Sequence, residues 1–171
     1  EFGNGLRWQE YNDYYRGHPR SILLPNRYVS GSNSFSQTVN NDGTIANQTD
    51  RNGNLTSYQY DPLSRLTNID IGDSSFSDTN ISYRSKNTTD PSFYTGPLVA
   101  EVTRGNYQQT TYYDYLLRPN LIRTRDTSDN SSSVYVKRQF NIAGQATFAS
   151  YPSTTANPTI GIETTFDALG R

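Results

Sequence analysis

Five aspartates, Asp42, Asp50, Asp61, Asp114 and Asp167, are the side chains of this 171-residue sequence whose type could support metal or acid–base chemistry. As oxygen donors they could ligate calcium, and as a close pair two of them could share a proton. The run Asp50-Arg51-Asn52-Gly53-Asn54-Leu55 has the alternating acid and amide of a calcium loop, but Leu55 stands where an EF-hand needs glycine to turn. Every one of these acids also sits where an Asp side chain can cap a tight turn through backbone N–H groups, and that reading is preferred. His18 is the sole histidine, so a histidine-based triad would have to use it. It lies between Gly17 and Pro19, and neither a Gly-x-Ser-x-Gly elbow nor an HExxH pair accompanies it. The expectation is no catalytic residue, no metal site and no cofactor.

Positioning those acids is the task of a recurring element. The clearest copy is residues 56–69, in which Tyr58 and Tyr60 alternate with polar residues on one face of a strand. Asp61-Pro62 then forms a turn, and Leu66 and Ile69 belong to the returning strand. The shared pattern is an aromatic or β-branched residue, Asp or Asn, two free positions, often Gly, one more position, then an apolar residue. It recurs at Val39-Asn40, with Gly43, and at Thr49-Asp50, with Gly53. Further copies are Tyr60-Asp61, with Arg65; Tyr113-Asp114, with Arg118; and Phe140-Asn141, with Gly144. The last is Phe166-Asp167, with Gly170 and Arg171. The later copies fall roughly 25 residues apart, the period of a repeated supersecondary unit. Gly supplies the positive φ that a hairpin turn needs. Arg65, Arg118 and Arg171 follow turns, where they are expected to pair with acids or stack on aromatic rings.

Hydrophobic residues make up 32% of the chain, low enough to raise disorder, but 14 Tyr and 7 Phe are spread along the strand-like segments. A Tyr ring buries apolar area and keeps a polar tip, which suits a sheet with half-dry faces rather than a thick core. A net charge of −1 gives no field for nucleic acid or anionic lipid, and the absence of Cys excludes disulfides and thiolate metal sites. The longest apolar runs, such as Ile22-Leu23-Leu24, are too short to span a bilayer. The sequence begins Glu1-Phe2 and ends just after a turn glycine, so it is expected to be an internal piece, 1–171, of a larger repeat protein.

Along the chain, Asn4-Gly5 predicts a turn, Trp8 a strand, Gly17 to Pro19 a second turn, and Pro25 the end of the strand carrying Ile22-Leu23-Leu24. Residues 30–37 read as a polar loop. Strands are predicted at 79–84, from Leu98 through Val102, at 110–113, 121–125, 134–140, 147–151 and 160–166. Residues 72–80, 85–97 and 126–133 read as solvated loops. No segment has a 3.6-residue period, so the fold class is all-β: an array of antiparallel hairpins. Asn-x-Ser/Thr occurs at Asn47, Asn54, Asn80, Asn87 and Asn130, a pattern that polar loops generate by chance.

Tyr-Asp followed by two residues and Gly-Arg or its variants resembles the YD repeat of the Rhs family, which includes bacterial Rhs toxins, the cage-forming BC components of insecticidal toxin complexes, and animal teneurins. Residues 60–67 and 166–171 fit best; 116–119 and 148–152 resemble degenerate units. Ser64 and Leu117 stand where glycine is usual, and Asn40 and Asn141 replace Asp. The resemblance implies a long β-ribbon spiralling into a hollow shell, secreted or at the cell surface. In bacterial members the shell encloses a toxic C-terminal polypeptide, released by an aspartate-containing self-cleaving segment. No counterpart of that segment is found here, so no proteolytic residue is carried over. The implied role is a structural segment of such a shell. The alternative is an extracellular adhesion or carbohydrate-binding module whose aromatic faces stack on sugar rings. The implied partners are the remaining repeats or copies of the chain itself joined through strand edges, an enclosed toxin polypeptide, or a glycan.

Overall fold

The computed structural model describes residues 9–24, 34–129 and 131–171. The expected features at Asn4-Gly5, Trp8, Pro25, the first half of the 30–37 loop and Asn130 lie outside the described residues; 34–37, read as the rest of that loop, are extended strand instead. Among the described residues there are thirteen strands and no helix. Every strand pairing is antiparallel, and strand order is chain order. The fold is all-β, an array of antiparallel hairpins. Two compact units divide the chain, Glu1–Asn80 and Ile81–Arg171.

The first unit holds β1 (Glu10–Tyr15), β2 (His18–Leu23), β3 (Ser34–Val39), β4 (Ile45–Thr49), β5 (Leu55–Tyr60) and β6 (Leu66–Asp70). β7 (Thr79–Arg84) starts in this unit, pairing Asn80 with Asn68, and runs into the second. β1 and β2 meet at a two-residue turn, Arg16-Gly17, with φ of 51° and 84°. Two successive positive φ values match the twist of a two-residue hairpin. The turn therefore falls one residue earlier than Gly17 to Pro19 suggested: His18 and Pro19 belong to β2, opposite Tyr15 and Tyr14.

Cross-strand register places Gln37, Gln48 and Thr56 side by side on one face, with Tyr58 two residues along. Their polar ends form a chain. The Tyr58 hydroxyl donates to Gln48 Oε1 at 2.7 Å, Gln48 Nε2 to Gln37 Oε1 at 3.2 Å, and Gln37 Nε2 to the Pro19 carbonyl at 2.7 Å. Side-chain amides thus replace an apolar core across this face, which is how a chain with so few aliphatic residues keeps its sheet together. The opposite face carries a second polar set, in which Asn47 donates to Thr38 and Asn68 to Asn80.

The second unit holds β8 (Leu98–Arg104), β9 (Tyr107–Tyr113), β10 (Pro119–Asp126), β11 (Val134–Phe140), β12 (Ala146–Ser150) and β13 (Gly161–Glu163). Here there is a true core, of Tyr94, Val99, Tyr112 and Leu121, with Tyr135 against it. Val99, Tyr112 and Leu121 are direct cross-strand neighbours on β8, β9 and β10. Tyr94 comes from the 85–97 segment, which the sequence suggests is solvated. Its ring meets that of Tyr112 edge-on, with centroids 4.9 Å apart, and its hydroxyl donates to the carbonyls of Leu98 (2.6 Å) and Tyr113 (3.0 Å). Beneath it the Asp90 carboxylate, 3% exposed, takes a two-pronged ion pair from Arg84 at 2.6 and 2.8 Å. The Arg84 bonds hold the Asp90 carboxyl below the usual range, and burial pushes the Tyr112 phenol up to about 12.

Two other expectations are corrected. The last strand spans Gly161–Glu163 rather than 160–166, because only Thr164 continues the ladder, donating to the Thr147 carbonyl, before the chain turns at Asp167. The strand expected at 147–151 is β12, with Phe148 buried and Ala149 and Phe148 paired with β13 and β11, so the resemblance of 148–152 to a degenerate turn unit does not hold over 148–150.

Candidate functional site: a row of clasped turns

The six repeat turns share one backbone. In each, the N–H of the Asx residue donates to the carbonyl four residues on, and the N–H three residues on returns to the Asx carbonyl. The pairs are Asn40/Thr44, Asp50/Asn54, Asp61/Arg65, Asp114/Arg118, Asn141/Gln145 and Asp167/Arg171, all at 2.8 to 3.0 Å. This is a type I turn followed by a left-handed residue, a bulge that adds one residue to one strand. The ladder registers shift at Val39, Tyr60 and Phe140, and between Pro119 and Leu121, as that bulge requires.

The left-handed position is glycine in four copies, at Gly43, Gly53, Gly144 and Gly170. Ser64 and Leu117 fill it in the other two, each with φ of 58°. Departing from glycine there changed the strain and kept the turn. A left-handed L-residue costs about 1–2 kcal/mol, while glycine gives back about 0.5–1 kcal/mol in chain entropy. Leu117→Gly is therefore expected to stabilise the second unit by about 0.5–1 kcal/mol. Urea titration of the two proteins checks this, and an unchanged or lower midpoint for the glycine variant would refute it. Ser64→Gly should gain less, because the Ser64 hydroxyl also donates to Asp42 Oδ2 at 2.9 Å.

The carboxylates act on their own turns. Asp61 Oδ1 accepts the N–H groups of Leu63 (2.9 Å) and Arg65 (3.0 Å), while Oδ2 takes Arg65 Nε at 2.7 Å and Nη2 at 2.6 Å. Asp114 repeats this with Leu116 and Arg118, and Asp167 with Leu169 and Arg171. Asp50 uses Asn52 and Asn54 in the same places. Asn141 holds Gln145 by an N–H bond and a side-chain bond. In the first copy the work is divided: Asn40 Nδ2 reaches Thr44 Oγ1, and Asp42 Oδ1 accepts the Thr44 N–H. The aromatic residue before the turn tethers it too, as Tyr60 donates to the Ile45 carbonyl at 2.9 Å. His18 opens β2, directly after the Arg16-Gly17 turn.

These bonds favour the charged carboxylate. At Asp61 the Arg65 side chain is the main cause of a lowered pKa, followed by the backbone N–H groups; at Asp50 it is the Asn54 side chain, and at Asp42 that of Thr44. At Asp114 partial burial works the other way, and the Arg118 side chain and backbone donors together outweigh it. Folded values below the unfolded value of about 3.9 make a contribution to stability that is present above that pH and is lost as pH falls through the folded values. The thermal midpoint is expected to be level from neutral pH to about 5 and to fall steeply below about 4. Equal midpoints at about pH 3 and pH 6, followed by circular dichroism, would exclude the clasp as a source of stability.

Antiparallel strands in chain order put successive connections at alternate ends of the sheet. In the first unit the turns at 16–17, 40–44 and 61–65 share one end, and Asp50 lies at the other. In the second unit 114–118, 141–145 and 167–171 share an end. The period of roughly 25 residues is the distance from one turn to the next at the same end. Neighbours in each row are bonded. Tyr15 donates to Asn41 Oδ1 and Ser64 to Asp42 in the first unit; in the second, Arg118 Nη1 donates to the Asn141 carbonyl at 3.2 Å and Gln145 Nε2 to that of Gly170 at 3.1 Å. The Arg118 guanidinium also lies 4.6 Å from the Phe140 ring centroid. Nothing in the local sequence signals these contacts; they follow from which turns share an end.

A meander of bulged, carboxylate-clasped hairpins whose turns are bonded in rows defines a β-hairpin repeat protein. Residues 40–73, which contain the turns at Asn40, Asp50 and Asp61, match the family model described as RHS Repeat, and over that stretch the chain is similar to that repeat. No curated protein matches the chain. No helix among the described residues is long and apolar enough to cross a membrane.

Proposed function

We propose that the chain is a non-catalytic wall segment of an Rhs-type β-shell that encloses or presents a C-terminal toxin or effector polypeptide, in a protein secreted or held at the cell surface. The observation that carries this reading is the bonding of one turn to the next at the same end of each unit, from Ser64 to Asp42, from Arg118 to Asn141 and from Gln145 to Gly170. Each hairpin depends on its neighbour, so the unit adds strands sideways and gains area rather than depth. On this reading residues 1–171 are one repeat segment, its partners are further repeats or strand edges of other copies, and its carboxylates serve turns rather than a reaction. Peptide mapping of the parent polypeptide from its native source, continued past Arg171, tests it. The expected result is a cleaved C-terminal polypeptide that co-purifies with the repeats. Repeats followed by a plain terminus or a membrane anchor, with no cleaved partner, would overturn it.

One observation favours the alternative of an adhesion or carbohydrate-binding module: Tyr14 and Tyr115 are 63% and 73% exposed, leaving ring faces open to sugars. Saturable glycan binding that is lost in Tyr14→Ala or Tyr115→Ala would support that reading over the shell.

A further inference from the structure

The chain shows twice how it holds a cation. The Arg118 guanidinium lies 4.6 Å from the Phe140 ring centroid while its Nε and Nη2 meet Asp114 Oδ2 at 2.8 and 2.7 Å. Arg20 lies 5.6 Å from the Tyr15 ring centroid and 2.6 Å from Asp13 Oδ1. In both places an aromatic face and a carboxylate act on one guanidinium, the ring through its quadrupole and the acid through its charge.

The same parts stand together in the first unit, at the end of the sheet that carries the Asp50 turn. An open cavity of about 440 Å³ is walled by Phe35, Ile71 and Phe76, with Asp50 from the β4–β5 turn and Asp73 from the loop after β6. Among the described residues, no lysine, arginine or histidine lines it. Arg51, beside Asp50 in the turn, is exposed and outside the lining. Phe76 is 56% exposed, so the fold gains little from burying it. Both carboxylates are held in place: Asp50 accepts bonds from Asn52 and Asn54, and Asp73 Oδ1 accepts the Ser75 N–H at 2.8 Å. Those bonds also keep both acids below the usual carboxylate range, so they stay charged when a ligand displaces water from them.

We propose that this cavity takes an arginine side chain presented by a partner polypeptide, with the guanidinium against the Phe76 and Phe35 rings and within reach of Asp73 and Asp50. Arginine fits better than lysine because its planar head stacks on a ring while its edge meets a carboxylate. No group of three metal-ligating His, Cys, Asp or Glu side chains occurs among the described residues. The inference does not depend on the shell reading.

The test is a titration of the 171-residue chain with the blocked pentapeptide Gly-Gly-Arg-Gly-Gly, followed by ¹H–¹⁵N NMR, beside the same peptide with citrulline in place of arginine. Saturable shifts at the Asn54, Asp73 and Phe76 amides are expected, with affinity at least about tenfold weaker for citrulline, whose side chain keeps the shape and loses the charge. Asp73→Asn and Phe76→Leu should each weaken binding of the arginine peptide several-fold. Both are mild substitutions, since a side-chain amide oxygen in place of the Asp73 carboxylate can still accept the Ser75 N–H and Phe76 is exposed. An unchanged amide fingerprint elsewhere verifies the fold. Equal binding of the citrulline peptide, unaltered affinity in both variants, or no saturable shift up to about 10 mM peptide would overturn the proposal.

Discussion

Replacing Gly96 by alanine is expected to destabilise the second unit by about 3 kcal/mol or more. A Cβ there would stand 1.7 Å from the Tyr113 carbonyl oxygen, 2.8 Å from its carbon and 2.9 Å from Tyr94 Cε2. The first two atoms are backbone, so no rotamer change makes room, and the segment would have to lift from the end of β9. Lifting it also strains the two bonds from the Tyr94 hydroxyl and draws the ring from its place against Tyr112. Gly53→Ala is the control. Gly53 has φ of 84° with nothing near its would-be Cβ, so alanine there costs only the left-handed penalty of about 1–2 kcal/mol. Urea titration by circular dichroism compares the two. If Gly96→Ala proved no worse than Gly53→Ala, the close packing of 85–97 against β9 would be refuted.

Asp90→Ala is expected to cost about 3 kcal/mol, through a different mechanism. The Asp90 side chain is 3% exposed and that of Arg84 is 31% exposed, so alanine leaves a partly buried guanidinium without its counter-charge. It also removes the acceptor for the Asn87 N–H at 2.8 Å, which organises the start of the loop. The charge and not the volume is at issue, so Asp90→Asn should recover part of the loss by keeping an oxygen toward Arg84. The double variant Arg84→Met/Asp90→Leu should be much less destabilised than Asp90→Ala, because it leaves no charge buried. A double variant as unstable as the single one would show that the loop depends on shape alone.

Both effects fall in 85–97, and the reason bears on what could be read in advance. The segment is rich in Ser, Asp, Thr and Asn, the composition of a solvated loop, and its pattern carries no strand period. Yet it supplies Tyr94, among the most buried side chains of the chain. Partners of the Tyr94 hydroxyl lie up to 19 residues away, at Tyr113, and a window of about ten residues holds no trace of them. The same limit applies to the glutamine chain of the first unit, where Gln37 reaches Pro19 across 18 residues, and to the cavity beside Phe76.

What the amino-acid sequence determined by itself is the turn. Asx at its first position, a left-handed residue at the fourth and a donor side chain at the fifth close all their bonds within five residues, so identity and spacing suffice to specify it. That is why the strands on either side of Asp61, Asp114 and Asn141 could be placed, and why the all-β class followed. Tertiary structure alone decided which turns are neighbours. Asp50 and Asp61 read as equal copies, yet the antiparallel order puts them at opposite ends, and only Asp61's turn bonds to the turn at Asp42. It also decided that Arg118 serves two turns at once, clasping Asp114 and reaching Asn141. Local hydrogen bonds are written in adjacent residues; burial and the contacts between turns of one row depend on residues brought together from about 20 positions apart, which no local pattern records.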